Sequence, residues 1–268
     1  MGLGAAFLSD LAELKRSGEL DGAHRVVEIG AQQLADSLVQ SAELVEACRL
    51  FGCVKPLLLT PVGAKRFTAA APFSDVFWSA LGFEHTAIDI DGPAIPLDLN
   101  RDSVPDGLRG TFDLVINAGT TEHLANQENA FRVIHDLVRP GGLMYHEVPA
   151  GGLIDHGFIS YQPKFFFWLC EQNDYKLVRF TMTKSAHSPV PAHVRNLNRR
   201  FGGAMPEHVP DWTLRVALRK RWDRPFFTPI DAPAHLVPLS HLSVGGRLRR
   251  TLARIRRAVA AGRLIPWW

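Results

Sequence analysis

The sequence predicts an α/β fold built on a doubly wound, mostly parallel sheet. Three observations carry this. Strand-like apolar runs alternate with stretches of helical periodicity, the order expected when crossover helices cover both faces of a sheet. Several runs stop at an acidic residue or a glycine. One of them, FDLVINAG, is almost continuously apolar, as a strand buried on both faces should be. With 268 residues, 46% hydrophobic and 21% charged, the chain has the composition of an ordinary globular protein, long enough for one large core with appendages.

The elements follow in order. Residues 5–20 have helical apolar spacing with Gly22 as a stop, so an N-terminal helix precedes the first strand, Arg25 to Ile29. That strand ends in Gly30, and a second helical pattern from about Leu34 to Phe51 closes at Gly52. Residues 55–82 read as an insertion. Its first part is punctuated by proline, and it ends in the short aromatic helix FSDVFWSALGF. HTAIDIDG and IPLDLN read as strands ending in carboxylates, and FDLVINAG as the next strand. NQENAFRVIHDLVRPGG is a helix closed by Pro140, GGLMYHEVP a strand, and QPKFFFWLCEQNDY a helix begun by proline. YKLVRFTMT and WTLRVALRKR complete the sheet and are expected to supply an antiparallel edge strand. Residues 1–239 therefore form one domain. Residues 240–268 are expected to form a basic amphipathic C-terminal helix, with Leu248, Leu252, Ile255 and Val259 on one face among seven arginines.

Composition excludes several classes. Cys48, Cys53 and Cys170 lack a disulfide framework or metal-ligand spacing, so a reducing compartment is expected and no metal site. The start has no basic segment leading into an apolar core, and no run reaches the ~18 apolar residues of a membrane span. A cytoplasmic protein without stable membrane insertion is expected. A net charge of +3 is too small for nucleic-acid binding across the surface. The arginine-rich tail is expected to pack on the domain, with homodimer formation, or binding to an anionic partner or membrane surface, as alternatives.

In an open parallel sheet, ligands sit beyond the carboxyl ends of the strands. There the sequence places Glu28 and Gly30, Asp89, Asp98, and Asn117 with Gly119. Glycine allows close backbone approach, and a carboxylate at a strand end can accept ribose hydroxyls. Asp89 and Asp98 also suit turn capping, and Gly30 a plain turn.

The series VVEIGAQQL, AIDIDG, LDLN, FDLVINAGTTEH and RPGGLMYHEVP resembles the successive motifs of class I S-adenosylmethionine-dependent methyltransferases, from Arg25 to about Val178. It is most similar to bacterial small-molecule methyltransferase-like proteins with a T-x-EH segment and an HGF-x-x-YQP-x-FF segment. The resemblance implies a Rossmann-like fold and S-adenosylmethionine as cofactor. It implies that Glu28 and Gly30 shape the methionine pocket, Asp89 holds the ribose, and Asp98 with Leu99 flanks the adenine. Asn117 with Ala118 would lie under the cofactor, and Gln32 and Ile90 would belong to the same turns. Where the family's first motif repeats glycine, this chain carries Gln32 and Leu34.

The activity so implied is methyl transfer to an oxygen or nitrogen of a small-molecule acceptor, a sugar or secondary metabolite. The alternative is a catalytically inactive methyltransferase-like scaffold, in keeping with the glycine-poor motif. The first candidate base is His146, at the end of the fifth main strand, and the second is His156. Glu122 and His123 would shape the pocket. Each histidine also reads as a satisfied buried residue, and Glu122 as a helix-dipole partner. The N-terminal helix and the 55–72 stretch are expected to cover the cofactor as a lid.

Overall fold

The computed structural model describes residues 2–35, 38, 41–53 and 73–231. The C-terminal helix expected over 240–268 and the 55–72 part of the insertion lie outside the described residues.

Helix α1, Ala5–Arg16, buries Phe7, Leu8, Leu11 and Leu14, and its last turn carries Lys15 and Arg16, which suit the negative end of the dipole. It stops four residues short of the expected end, because Ser17 caps it and Gly18 follows with φ of 76°. Strand β1 (Gly2–Leu3) lies just before it. Strand β2, Arg25–Ile29, occupies the expected residues and the centre of the sheet.

The helix expected from Leu34 begins later. Gln33–Leu34 forms β3, paired in parallel with β1, and α2 covers Ala42–Phe51. Ser41 sets that start, its hydroxyl accepting from the Leu44 amide at 3.1 Å. The aromatic segment yields α3, Asp75–Ala80.

The next strands are β4 (Glu84–Asp89), β5 (Ile95–Pro96) and β6 (Phe112–Ala118). Helix α4, Gln127–Leu137, is capped by Asn126, which accepts from the Asn129 amide at 3.1 Å. Strand β7, Val138–Gly151, follows without a loop and runs past the expected end at Pro149. Then come α5 (Pro163–Gln172), β8 (Lys176–Pro189), α6 (Ala192–Arg200) and β9 (His208–Arg219). Helix α6 is not among the expected elements, and none of its residues is buried.

The seven-stranded sheet has the order β5-β4-β2-β6-β7-β9-β8. The first five strands are parallel. β9 runs antiparallel to both β7 and β8, so the antiparallel strand stands one place in from the edge that β8 forms. The fold is α/β, doubly wound and mostly parallel, as expected.

Two cores flank the sheet. One joins Val27, Val115, Met144 and Val216 to Phe131 and Ile134 of α4 and Phe166 of α5. The other joins Val26, Leu114, Ile116 and Tyr145 to α1, α2 and α3. Helix α1 is fastened to the sheet by buried Asp10, which meets Arg179 at 2.7 Å, Arg215 at 2.8 Å and the Tyr145 hydroxyl at 2.9 Å. It is therefore a core helix and not a lid. Among the described residues, no helix is long and apolar enough to cross a membrane.

Candidate active site

Because the first four strands of the sheet series point the same way, the turns after them converge on one edge. They enclose a cavity of about 390 Å³, lined by Gly30, Ala31 and Gln32 after β2, and by Asp89 and Ile90 after β4. Asp98, Leu99 and Asn100 after β5 add to it, as do Thr120, His123 and Leu124 after β6. The volume lies in the ~300–1,000 Å³ range of small-molecule sites.

Gly30 makes the turn possible. Its φ is 79°, and a Cβ there would collide with the Thr120 hydroxyl, which donates to the Ile29 carbonyl at 2.6 Å. Asp89 faces the cavity and is held from both sides. One oxygen accepts from the Ala31 amide at 2.9 Å and the other from the Ile90 amide at 2.7 Å. A carboxylate oxygen has two lone pairs, so each retains capacity for a further donor. Asp98 accepts from the Asn100 amide at 2.9 Å, so it caps its turn and lines the cavity at once.

Gln32 replaces a glycine of the resembled motif. Its amide nitrogen donates to the Ile29 and Gly30 carbonyls, each at 3.1 Å, which folds the side chain under the turn instead of across the cavity. Its Oε1 is buried without a partner.

Three expected cofactor residues lie off the cavity. Glu28 is fully buried on the opposite side of the turn. Its carboxylate accepts from Ser74 at 2.6 Å, from the Trp78 indole at 2.6 Å and from the Gln32 amide at 3.2 Å, and meets His85 at 3.1 Å. Asn117 and Ala118 are also buried. Asn117 donates to Thr121 Oγ1 at 2.8 Å and contacts His146 Nδ1 at 3.2 Å.

The four candidate catalytic residues separate into two places. His146 is interior to β7, because the strand continues to Gly151, and its ring is fully buried between Phe131 and Phe166. Burial lowers its pKa to about 3. Asn117 Nδ2 is a donor, so His146 Nδ1 accepts and the proton sits on Nε2, which has no partner.

Glu122, His123 and His156 instead stand together. His123 lines the cavity, its ring centroid 5.0 Å from that of His156, and His156 Nε2 is 3.8 Å from Glu122 Oε1. The Glu122 side chain is 1% exposed and its Oε2 has no partner. Burial pushes its carboxyl up to about 7, whereas burial and then the nearby His156 lower His123.

The loop after β7 is fixed over Glu122, whose backbone carbonyl accepts from the Phe158 amide at 2.8 Å and the Ile159 amide at 3.1 Å. Gly157 is needed at that crossing, since a Cβ would lie 2.9 Å from the same carbonyl oxygen. Sequence reasoning did not single out Thr120, Asn100, Leu97 or Leu124 as cavity-lining residues. Leu97 and Thr120 could have been marked by their place just past the ends of β5 and β6, whereas Asn100 and Leu124 are brought in by the turns that follow.

No curated protein matches the chain. Among solved structures it is similar to a putative methyltransferase from Bacillus halodurans, with 10% identity, 80% of this chain and 100% of that one covered, and a TM-score of 0.49. It is also similar to a SAM-dependent methyltransferase from Archaeoglobus fulgidus (11% identity, 81% and 95% covered, TM-score 0.41). A third is the 1,6-didemethyltoxoflavin-N1-methyltransferase of Burkholderia thailandensis (13% identity, 80% and 78% covered, TM-score 0.39). Identities and TM-scores this low say nothing of substrate. A family model described as a methyltransferase domain matches residues 62–204, just over half of the sequence. The chain therefore belongs to the methyltransferase-domain family, of the S-adenosylmethionine-dependent class I type that its motifs resemble.

Proposed function

We propose that the protein transfers the methyl group of S-adenosylmethionine to an oxygen or nitrogen of a small molecule. The observation that carries this reading is the continuity between the strand-end cavity and the Glu122, His123 and His156 cluster, which share His123. The cofactor fits the residues present. Asp89 would accept the ribose hydroxyls, Leu97 and Leu99 with Asp98 would flank the adenine, and the Gly30 turn, with no side chain at residue 30, lines the part of the cavity that would take the methionine portion.

When bound, the cofactor supplies an activated methyl group on a sulfonium leaving group. The chain then has to align the acceptor atom and receive or direct its proton, and alignment alone can contribute several kcal/mol. Exposed His156 is within reach of an acceptor that enters beside His123, and buried Glu122 lies 3.8 Å from its Nε2. His146 has no such access, so it is left out of this assignment.

Calorimetric titration with S-adenosylhomocysteine tests the reading, followed by label transfer from S-adenosylmethionine to a panel of hydroxyl- and amine-bearing small molecules. Saturable binding that weakens at least ~10-fold in Asp89→Ala is expected, a change of about 1.4 kcal/mol. A second reading, an inactive scaffold, is favoured by Gln32 standing where glycine is usual. Absence of binding in the wild-type titration would establish it.

A further inference from the structure

Glu122, His123 and His156 come from two segments more than thirty residues apart, yet each offers one ligand atom and these atoms lie within 4.8 Å of one another. They are two imidazoles and one carboxylate. Glu122 Oε2 is buried without a partner, and Oε1 stands 3.8 Å from His156 Nε2, beyond hydrogen-bond reach of that imidazole. A side chain this buried is normally satisfied, so the cluster lacks a positive partner at its centre. His156 is brought there deliberately, because the Phe158 and Ile159 amides both bind the Glu122 carbonyl and Gly157 permits the crossing.

We propose that Glu122, His123 and His156 form a site for a divalent transition-metal cation at the acceptor end of the cavity, with open positions that bind an oxygen of the methyl acceptor. The second half of this statement rests on the methyl-transfer reading, and the first half does not.

The donor set selects the cation. Imidazole nitrogen favours zinc, iron, cobalt, nickel or copper over magnesium, calcium and manganese, which prefer oxygen. Tetrahedral coordination at ~2.0–2.2 Å places ligand atoms ~3.4 Å apart, so modest rotation of the two exposed imidazoles brings all three into position. Three protein ligands leave at least one position for water or substrate, the arrangement of catalytic rather than structural sites. An acceptor hydroxyl held there would release its proton to solvent more readily than when free. His123, which lines the cavity, places that oxygen beside the cofactor pocket.

Untagged, chelator-treated full-length protein titrated with cobalt(II) tests the site by visible absorption and calorimetry. The expected result is one cobalt per chain, with the ligand-field bands of four- or five-coordination and displacement by zinc. Binding should weaken at least ~10-fold in Glu122→Gln and in His156→Ala. Because His156 is exposed, its variant folds even where the buried Glu122 change does not. Cobalt binding that is not stoichiometric, or that keeps its wild-type affinity in His156→Ala, would overturn the proposal. S-adenosylhomocysteine titrated into the same protein reports the methyl-transfer reading separately. Cobalt binding without cofactor binding keeps the metal site and removes the acceptor role.

Discussion

Gly30 and Thr120 close the turn at the centre of the sheet edge, the Thr120 hydroxyl bonded to the Ile29 carbonyl in the space that a Cβ on residue 30 would fill. Gly30→Ala should therefore fail twice, through the positive φ and through the collision. The φ alone costs about 1–2 kcal/mol. S-adenosylhomocysteine affinity should fall at least tenfold, and adding Thr120→Ala should recover part of it by removing the collision but not the strain. Calorimetry on both variants checks this, and an unaltered affinity in Gly30→Ala would refute the role given to the turn.

Glu28 is an anchor for donors and not a wall of the cavity. In Glu28→Gln one oxygen becomes an amide that faces the Ser74, Trp78 and Gln32 donors. Leaving buried donors unpaired costs about 1–3 kcal/mol, a drop in Tm of about 2–12 °C for a chain of this size. Thermal melting should show that drop. Cofactor affinity should change only modestly, through the Gln32 backbone.

His146→Leu keeps most of the ring's volume and removes a buried Nε2 that has no partner. Stability should stay within about 1.5 kcal/mol of wild type, whereas His146→Ala should lose about 2–4 kcal/mol through the cavity it leaves. Turnover per folded molecule in His146→Leu should stay within a factor of three. A hundredfold loss with cofactor binding intact would restore His146 as the base.

His135 gives the fold a dependence on pH. Burial, and then the nearby Lys220, lower its pKa to about 4 from 6.5. Its Nδ1 accepts from the Tyr175 hydroxyl at 2.6 Å, and its Nε2–H donates to the Arg224 carbonyl at 2.7 Å, so the neutral ring is the one held. The unfolded chain takes up this proton first on acidification. The contribution is thus complete above pH 6.5 and is lost as pH falls towards 4, up to roughly 3 kcal/mol. Melting curves from pH 7.5 to 4.5 should show a smaller fall in Tm for His135→Gln than for wild type.

The sequence by itself determined the series of strands and which residues end them, because both are local properties of the chain. Apolar runs marked β2, β4 and β6 to within a residue or so, and Gly30, Asp89 and Asp98 reach the cavity simply by following strand ends that a parallel sheet gathers on one edge. What a side chain meets there was decided only by tertiary structure. Along a strand successive side chains point to opposite faces. Glu28 thereby turns to the α3 side and meets Ser74 and Trp78, while His146 turns to the α4 and α5 side and is enclosed by Phe131 and Phe166. The sequence could not say what waited on each face. Nor could it show that the loop after β7 folds back until two amides reach the Glu122 carbonyl, which sets His156 beside a carboxylate thirty-four positions earlier. Contacts of that range arise from chain crossing, and no periodicity in the sequence encodes them.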